Sequence, residues 1–508
     1  MSKERNSQTK RTTSSLASSI ASFAKGFSAG QLAVGFASLC LIVIGIIMVY
    51  SASSIELVSN GSPAYSEALK QVVFVVIGLA AVALVGVLFK KGYLLLFVWV
   101  FYVACIVGIL ATWAFGKSQY GASRWISLGF TTIQPSEFAK IAFVLITAEF
   151  VKRYNEGLYS RSDVGIRILG FVLLPLIVLV ITQSDLGTTL ICALGVFAIL
   201  FMSEVFPRRV LLGMLLFLVL GAVFLMVLTP YRMARFTAFV DPWADADGNG
   251  FQYVHSFKAL AAGGLFGVGI GDSYQKLLYL PMASTDFIFA IVGEELGLVG
   301  ATCVILLFLL LLYGGLKMAT EAKSDFAFLA SSSLILMLVF QAFLNIFCVI
   351  GAAPITGKPL PFISSGGSSM VSSIFLVGLV FMFGSGVGDS DVYERRRGNL
   401  RIVSSSSPDR LESRRSIDRK GASTSRRPSS RSSERLAARR ASTYGRVYDS
   451  QTNARRSGTA RSTSSSSRRR DSSSTRRTRE RMGERSQTRN ARGADRRTRD
   501  ERSIRRYR

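Results

Sequence analysis

The chain is poor in the residue types that build many soluble active sites. Among its 508 residues it has a single histidine, His255, which excludes any site that needs two imidazoles. Its five cysteines stand singly in apolar stretches without a CxxC spacing, so neither a disulfide framework nor a zinc site is predicted. Acidic residues are scarce too, 32 against 60 Lys and Arg. The few carboxylates in apolar surroundings therefore become the main candidates for chemistry.

Positive charge and apolar residues occupy different parts of the chain. Hydrophobic residues make up 49% of the sequence and the mean hydropathy is +0.37, yet the formal net charge is +28. Residues 391–508 hold 36 Lys and Arg and 13 acidic residues, so this segment alone carries +23. It has almost no apolar clusters and cannot bury enough surface to offset the entropy lost on ordering, which predicts disorder.

The arginine-rich tail calls for an anionic ligand. Anionic lipid headgroups and an acidic cytoplasmic partner both suit a long segment of this composition. Nucleic acid is disfavoured because no aromatic stacking platform and no folded reading domain accompany the arginines.

Ten apolar runs are long enough to cross a bilayer as helices. A hydrocarbon core about 30 Å thick needs about 20 residues of helix. The runs lie near residues 31–51, 70–89, 93–115, 135–151, 164–182, 186–206, 209–229, 286–314, 326–350 and 368–388. The sequence thus predicts an all-α polytopic membrane protein with about ten transmembrane helices over residues 31–388. Residues 1–30, which contain no cleavable signal, and residues 389–508 are predicted to be disordered cytoplasmic tails.

Basic residues mark every second loop between these runs. They precede the first run and recur at Lys90 and Lys91, within residues 152–167, at Arg208 and Arg209, and at Lys317 and Lys323. Because short loops rich in Lys and Arg stay in the cytoplasm, both termini are predicted to be cytoplasmic. The large loop between the seventh and eighth runs, residues 230–285, then faces outward. The same holds for residues 351–367, whose prolines and glycines exclude a plain helix.

Charged residues near the outward ends of the runs are the functional candidates, since ionisable groups in a membrane are costly. Glu137 and Lys140 stand three apart behind Pro135 at the start of the fourth run, so they share a helix face and can pair. Asp185 lies between the fifth and sixth runs, and Asp286 starts the eighth.

Arg124, Glu294 and Glu295 complete the set of candidates. Arg124 precedes the fourth run, and the two glutamates lie about two to three helical turns beyond Asp286. The sequence predicts that the charged groups meet in one water-accessible cavity near the outer leaflet. The alternative is that they form buried ion pairs that only fix helix packing, which applies most to the Glu137 and Lys140 pair and to the two residues Glu294 and Glu295.

Seven short segments carry a family resemblance, in a fixed order along residues 31–388. They are Gly121 to Trp125, Gln134 to Lys140, Asp185 to Gly187, Gly250 to Gln252, Gln275-Lys276 with Leu280-Pro281, Thr285 to Phe289 with Gly293 to Gly297, and Pro361 to Ser369. They resemble motifs of the SEDS proteins (shape, elongation, division and sporulation). Within that family the chain is most similar to the division branch, and its basic tail is similar to those of actinobacterial members. It departs from the usual pattern at Met282, Ser284 and Ser365, which bear on the rim of the pocket.

The resemblance implies a peptidoglycan glycosyltransferase of the cytoplasmic membrane that acts at the division septum. Such an enzyme polymerises lipid II at the outer face of the membrane, together with a class B penicillin-binding protein and other division proteins. The resemblance also implies that the family's essential aspartate is Asp286. Its ion pair on the fourth helix falls on Glu137 and Lys140, and its other cavity acid on Asp185.

The implied reaction joins the 4-hydroxyl of an acceptor sugar to the anomeric carbon of a donor whose leaving group is a lipid diphosphate. It needs a base for the hydroxyl and positive charge for the diphosphate. We expect Asp286 to be the base and Arg124 and Lys140 to face the diphosphate, with Glu137 positioning Lys140. Asp185 would orient the acceptor. No covalent cofactor is expected, but a divalent cation, Mg²⁺ or Mn²⁺, could be held by Asp286 and shared by Asp185.

Two other functions stay open on the sequence alone. A lipid II flippase or another transporter would also carry charges in a helical cavity, although no internal repeat with matched broken helices is visible. A non-enzymatic division scaffold would recruit partners through the outer loop and the tail, with the charges only packing helices.

Overall fold

A computed structural model describes residues 27–386, apart from residues 116, 120–121, 128–131, 184, 228–229 and 278. The predicted tail at 389–508 and nearly all of the predicted tail at 1–30 lie outside the described residues. Their disorder therefore stays a prediction.

The described residues form twelve helices and three short strands. The helices are α1 (Ala29–Ser59), α2 (Ser66–Lys90), α3 (Leu94–Phe115), α4 (Pro135–Asn155), α5 (Arg161–Gln183), α6 (Leu186–Met202), α7 (Arg208–Val227), α8 (Pro230–Val240), α9 (Phe251–Gly263), α10 (Ile288–Thr320), α11 (Asp325–Val349) and α12 (Gly367–Gly384). The strands are β1 (Lys117–Gln119), β2 (Ala122–Ser127) and β3 (Thr132–Ile133), which form one antiparallel sheet in that order.

Each of the ten predicted runs coincides with one helix, α1 to α7 and α10 to α12. Seven of these helices, α1, α2, α3, α5, α10, α11 and α12, are both long and apolar enough to cross a bilayer, among the residues that the structure describes. α6 is apolar but shorter, with 17 residues. The chain is thus a helical, multi-pass membrane protein, and the number of ten spans stays a prediction.

The helices divide into a buried core and an apolar exterior. Almost every residue of α4 from Pro135 to Val151 is buried, and α11 and α12 are also largely enclosed. α2, α3 and α7 instead expose large apolar side chains such as Leu84, Trp113 and Phe217. Water would make this exposure unfavourable over so large an area, whereas hydrocarbon accepts it.

Residues 351–366 form a non-helical segment that is packed into the core, which confirms the prediction that this loop is not a plain helix. Leu360, Phe362 and Ile363 are each at most 2% exposed. The close packing depends on a glycine of α1, because a Cβ on Gly45 would lie 2.1 Å from the Phe362 carbonyl oxygen.

α10 is interrupted at Gly297, whose φ of 68° and ψ of −168° are not helical. The glycine-rich segment after α9 fills the break, and the two backbones exchange hydrogen bonds. The N–H groups of Val268 and Gly269 donate to the carbonyls of Glu294 and Glu295 at 3.0 and 3.1 Å. In return, Leu298 and Val299 donate to the carbonyls of Gly264 and Leu265 at 2.9 and 3.1 Å. The helix groups that the break leaves without intrahelical partners are therefore satisfied.

The large segment 230–285 is not a simple loop. It contains α8 and α9, which the hydropathy pattern missed because neither is as long or as continuously apolar as a membrane span. α8 carries Arg232 and Arg235, and both contribute to the site described next.

Candidate functional site

The innermost part of the site is an ion pair on α4. Glu137 Oε2 and Lys140 Nζ lie 2.6 Å apart, and the two side chains are 2% and 1% exposed. Pro135 begins the helix where a missing N–H costs nothing, so both residues fall in its first turns and share a face. Lys140 also donates to Gln341 Oε1 of α11 at 2.7 Å. The pair predicted from the sequence is therefore present, and it is sealed from solvent.

A second buried ion pair joins Asp185 to Lys358, a residue that the sequence analysis did not single out. The Asp185 Oδ2 to Lys358 Nζ distance is 2.6 Å, with both side chains 1% exposed. Asp185 caps α6, since its carboxylate accepts the Thr188 N–H at 3.1 Å and the Thr188 hydroxyl at 2.8 Å. Lys358 also donates to the Thr188 hydroxyl. The Asp185 carboxylate is thus fully occupied by protein groups.

Asp286 stands on a short segment just before α10 that is held by its backbone carbonyls. The Ser284 carbonyl accepts from the Ser365 N–H at 2.9 Å, and the Thr285 carbonyl accepts from the Ser364 hydroxyl at 2.5 Å. The Asp286 carbonyl accepts from Asn345 Nδ2 at 2.7 Å. These contacts fix the position of the segment without using the Asp286 side chain.

The Asp286 carboxylate has no hydrogen bond and no ion pair among the residues that the structure describes, and it is half-buried. The carboxylate lies near Gly357 of the segment 351–366, whose φ of 67° favours glycine. A Cβ on Gly357 would lie 3.4 Å from Asp286 Oδ2 and 3.9 Å from Arg235 Nη1. The missing side chain therefore leaves a space next to both the carboxylate and the guanidinium.

Three arginines border this part of the site, all of them half-buried. Arg124 of β2 donates through Nε to the Gln183 carbonyl at 2.9 Å, and Arg235 donates through Nη1 to the Ile355 carbonyl at 3.2 Å. Arg124 interacts electrostatically with both Asp185 and Asp286, and Arg232 interacts with Arg124 and Asp185. The structure thus brings Arg124, Asp185 and Asp286 together, as the sequence predicted.

Among the residues that the structure describes, electrostatic interactions connect eight charged groups. The cations are Lys140, Lys358, Arg124, Arg232 and Arg235, and the carboxylates are Glu137, Asp185 and Asp286. The positions between residues 27 and 386 that the structure does not describe contain no Asp or Glu. The network therefore holds two more positive than negative charges, and a buried excess of this kind favours an anionic ligand.

The carboxyl groups of Asp286 and Asp185 differ in acidity because their surroundings differ. Burial raises the pKa of Asp286, and the attraction of Lys358, Arg235 and Arg124 only partly opposes it, so the net direction is upward. Burial also acts on Asp185, but there Lys358 and Arg124 outweigh it and lower the pKa to about 2. Two carboxylates whose pKa values are pushed apart suit two roles, one as a permanent anion and one as a proton acceptor.

Glu294 and Glu295 do not join this network and hold a different part of the fold. Glu294 accepts from the Ser273 hydroxyl and from the Tyr274 N–H, the latter at 2.9 Å. Glu295 lies 3.1 Å from Lys276 Nζ and accepts from the Ser51 hydroxyl at 2.6 Å. The prediction that all the charged groups share one cavity is therefore wrong for these two residues. They anchor the segment that fills the break in α10.

The residues present do not form a metal site by themselves. Among the described residues there is no group of three or more His, Cys, Asp or Glu that could hold an ion. The Asp185 carboxylate is occupied by Lys358 and Thr188, and the cations around Asp286 would repel a divalent ion. The Mg²⁺ or Mn²⁺ predicted from the sequence would need most of its ligands from substrate and water.

Five residues of the site escaped the sequence analysis: Lys358, Arg232, Arg235, Gln341 and Asn345. Lys358 stands between Gly357 and Pro359 in a segment that resembles a surface loop, where a lysine gives no sign of burial. Arg235, Gln341 and Asn345 lie on helices whose neighbours were not predictable. The proximity of Lys358 to the Pro361 to Ser369 motif was the one available signal.

Comparisons with known proteins identify the family of the chain. The model of the FtsW, RodA and SpoVE family, described as cell cycle protein, matches residues 32–384. The chain is 35% identical to stage V sporulation protein E of Bacillus subtilis (strain 168) over 348 residues, 68% of this chain and 93% of that protein. It is 37% identical to the probable peptidoglycan glycosyltransferase FtsW of Synechocystis sp. over 338 residues, 66% of this chain and 84% of that protein.

A solved structure shows the same fold. A chain from a peptidoglycan synthase complex, described for its structural coordination of polymerization and crosslinking, superimposes with a TM-score of 0.56 at 27% identity. The match covers 70% of this chain and 98% of that one. With the family match over residues 32–384, these similarities establish that the chain belongs to the FtsW, RodA and SpoVE family of cell cycle proteins.

Proposed function

We propose that this protein is a peptidoglycan glycosyltransferase that polymerises lipid II into glycan strands. The observation that carries the proposal is the Asp286 carboxylate, which is half-buried, has no described partner, and faces Arg235 across the space at Gly357. Family membership and relatives named as probable peptidoglycan glycosyltransferases support it.

Asp286 serves as the general base. The acceptor's 4-hydroxyl loses its proton to the carboxylate as its oxygen bonds to the donor's anomeric carbon, and the bond from that carbon to the diphosphate oxygen breaks. A raised pKa makes the carboxylate a better proton acceptor than an ordinary surface aspartate. The hydrogen bonds to the backbone carbonyls of Ser284, Thr285 and Asp286 keep the base in place during the transfer.

The arginines of the site bind the diphosphate. Arg124, Arg232 and Arg235 are half-buried around Asp286 and Asp185, and guanidinium groups match phosphate oxygens in geometry. The two excess positive charges of the network balance the charge that develops on the leaving diphosphate. Arg235 and Arg232 extend the set of cations that the sequence suggested for the diphosphate, which contained Arg124 and Lys140.

Lys140 takes a different role from the one first expected. It is 1% exposed and already bound by Glu137 and Gln341, so it has no open path to a diphosphate. The Glu137 and Lys140 pair has a structural role that supports the site. Asp185 has the same role through its ion pair with Lys358.

The proposed setting is the outer face of the cytoplasmic membrane at the division septum. A class B penicillin-binding protein would crosslink the strands, as the likeness to a peptidoglycan synthase complex suggests, with other division proteins present. The arginine-rich tail, with 35 Arg in residues 391–508, would bind anionic lipid or an acidic cytoplasmic partner.

The test is polymerisation of purified lipid II by the full chain with its matched class B penicillin-binding protein, with and without Mg²⁺ or Mn²⁺. Asp286→Asn should abolish glycan polymer while protein yield and partner binding stay unchanged. Asp247→Asn is the matched control, because Asp247 is an exposed aspartate of the same segment between α7 and α10. It should polymerise like the wild type.

Two results would contradict the proposal. Polymer from Asp286→Asn would remove Asp286 as the base. No polymer from the wild type, with partner binding intact, would favour lipid II transport or a scaffold role instead.

A further inference from the structure

Two amide side chains on one face of α11 connect the parts of the site. Gln341 and Asn345 are four residues apart, so they lie one above the other on the helix. Both are nearly inaccessible, at 1% and 2% exposure. Gln341 accepts from Lys140 at 2.7 Å and donates through Nε2 to the Pro359 carbonyl at 3.0 Å. It thus links the inner ion pair to the loop that carries Lys358.

Asn345 makes the next link outward. Its Nδ2 donates to the Asp286 carbonyl at 2.7 Å and to the Lys358 carbonyl at 2.8 Å. Both partners are acceptors, so the nitrogen and not the oxygen must face them. One NH₂ group therefore fixes the distance between the residue that bears the base and the residue that pairs with Asp185.

The oxygen of the Asn345 amide shows that this arrangement has a cost in free energy. Asn345 Oδ1 is buried and has no hydrogen-bond partner among the described residues. An unpaired buried acceptor is unfavourable, but an apolar side chain of the same shape would leave the Asp286 and Lys358 carbonyls without this donor. The two donated hydrogen bonds must offset that cost.

We propose that Asn345 is a positioning residue for the glycosyl transfer. It holds Asp286 and the loop that carries Lys358 at a fixed relative position. The inference rests on the proposed function. Asn345 itself contacts only backbone carbonyls, so it affects the reaction through the position of Asp286 and not through the substrate. Misplacement of a base by about 1 Å can lower a rate by about 100-fold, which makes a backbone clamp at this point consequential.

The kinetic test compares Asn345→Leu, which keeps the approximate size and removes both donors, with Ser331→Ala. Ser331 is a fully buried polar residue of the same helix with no described partner, so its replacement controls for loss of a polar group in α11. Asn345→Leu should lower kcat at least 10-fold and leave the KM for lipid II within about threefold, because ground-state binding is retained. Ser331→Ala should change neither constant.

A second readout does not depend on activity. Amide hydrogen exchange in nanodiscs should accelerate in Asn345→Leu at two separate segments, residues 284–287 and 355–360. Exchange within α10 and α11 should stay unchanged. If the wild type makes no polymer, the proposed function fails, yet this exchange result still decides whether Asn345 joins the two segments.

Should Asn345→Leu not fold, Asn345→Ser is used instead. Its single hydroxyl hydrogen serves one carbonyl at a time, so kcat should fall below the wild-type value. Wild-type kcat in either variant, a loss confined to KM, or faster exchange in only one of the two segments would overturn the proposal.

Discussion

The Asp286 carboxylate and the Lys358 ammonium influence each other although they do not form a contact pair. Among the cations that oppose the effect of burial on the pKa of Asp286, Lys358 has the largest effect. Its own contact partner is Asp185, at 2.6 Å. Replacement of Lys358 should therefore change the acidity of a residue that it does not touch.

This relation predicts the pH dependence of the reaction. The base must be ionised, so kcat should fall as the pH decreases through the pKa of Asp286, which burial places above the ordinary carboxylate value of about 3.9. Lys358→Met removes an attraction that favours the charged form, so the acid limb of log kcat against pH should move to higher pH. Lys276→Met, which removes a buried lysine from the separate Glu295 cluster, is the control and should leave the limb unmoved. If the acid limb in Lys358→Met stays at the wild-type pH or moves to lower pH, the assignment of Asp286 as the base is contradicted.

The space at Gly357 gives a second prediction at the residue scale. Gly357→Ala places a methyl group between Asp286 Oδ2 and Arg235 Nη1, where the acceptor hydroxyl and the diphosphate must approach. Polymerisation should fall at least 10-fold, since steric misplacement of the reacting groups is costly. The control is Gly157→Ala, because Gly157 has a similar φ of 74° but nothing within 4 Å of its Cβ position.

Both glycine variants carry a similar backbone cost of about 1 kcal/mol for a non-glycine residue at positive φ. Thermal unfolding should therefore shift by a comparable amount in the two proteins. Equal activity in the two variants would mean that the space at Gly357 is not used by substrate.

At the scale of elements, the break in α10 is sensitive to substitution. Gly297 has a φ and ψ that only glycine adopts readily, and a Cβ there would lie 2.3 Å from the Gly267 nitrogen. Gly297→Ala should destabilise the protein by about 2 kcal/mol or more, measured by thermal unfolding in detergent. It should also loosen the segment that Glu294 and Glu295 anchor.

Gly213→Ala in α7 provides the matched control for this prediction. Gly213 is helical and a Cβ on it would meet nothing within 4 Å. Alanine is favoured over glycine within a helix by about 0.5–1 kcal/mol, so this variant should be as stable as the wild type or slightly more stable. A Gly297→Ala protein with the same midpoint as Gly213→Ala would show that the break does not require glycine.

The elements also show what the sequence could predict. All ten apolar runs became helices, because a continuous apolar stretch of about 20 residues has few alternatives in lipid. The break at Gly297 was not predictable from hydropathy, which averages over a window and does not register one backbone angle. α8 and α9 were missed for the opposite reason, since they are too short and too polar to resemble a span.

The candidate site was only partly predictable for a related reason. Glu137, Asp185 and Asp286 stand out because carboxylates are rare in apolar surroundings. Lys358 and Arg235 lie in segments where charge is unremarkable, and only the packing of residues 351–366 against α11 brings them to the carboxylates. Long-range partners of this kind leave no local pattern in one sequence.

For the whole molecule, the charge distribution separates catalysis from placement. The excess of positive charge at the candidate site is two, whereas residues 391–508 carry +23. Deletion of residues 398–508 should leave lipid II polymerisation in detergent within about twofold, because all the site residues that the structure describes lie between residues 124 and 358. In cells, the same deletion should change localisation or partner recruitment, since screened electrostatic attraction to the membrane surface is lost.

The control for the tail is replacement of its arginines by glutamine at unchanged length. If charge is the cause, this variant should mislocalise like the deletion, as seen by fluorescence microscopy of a fusion protein. Loss of polymerisation in the folded, truncated protein would show instead that the tail contributes to the reaction.

The contact between Gly45 and Phe362 also sets the depth of the chemistry. Gly45 stands 16 residues after the start of α1, a rise of about 24 Å in a hydrocarbon layer about 30 Å thick. If α1 enters from the cytoplasm, as predicted, and the hydrocarbon begins at its first residue, the loop beside Asp286 would reach roughly 6 Å below the outer edge of the hydrocarbon. A polyprenyl carrier would then keep its tail dissolved in the leaflet from arrival to departure. The enzyme would have no need to extract its substrate, and the spent carrier could diffuse away sideways while the new strand grows outward.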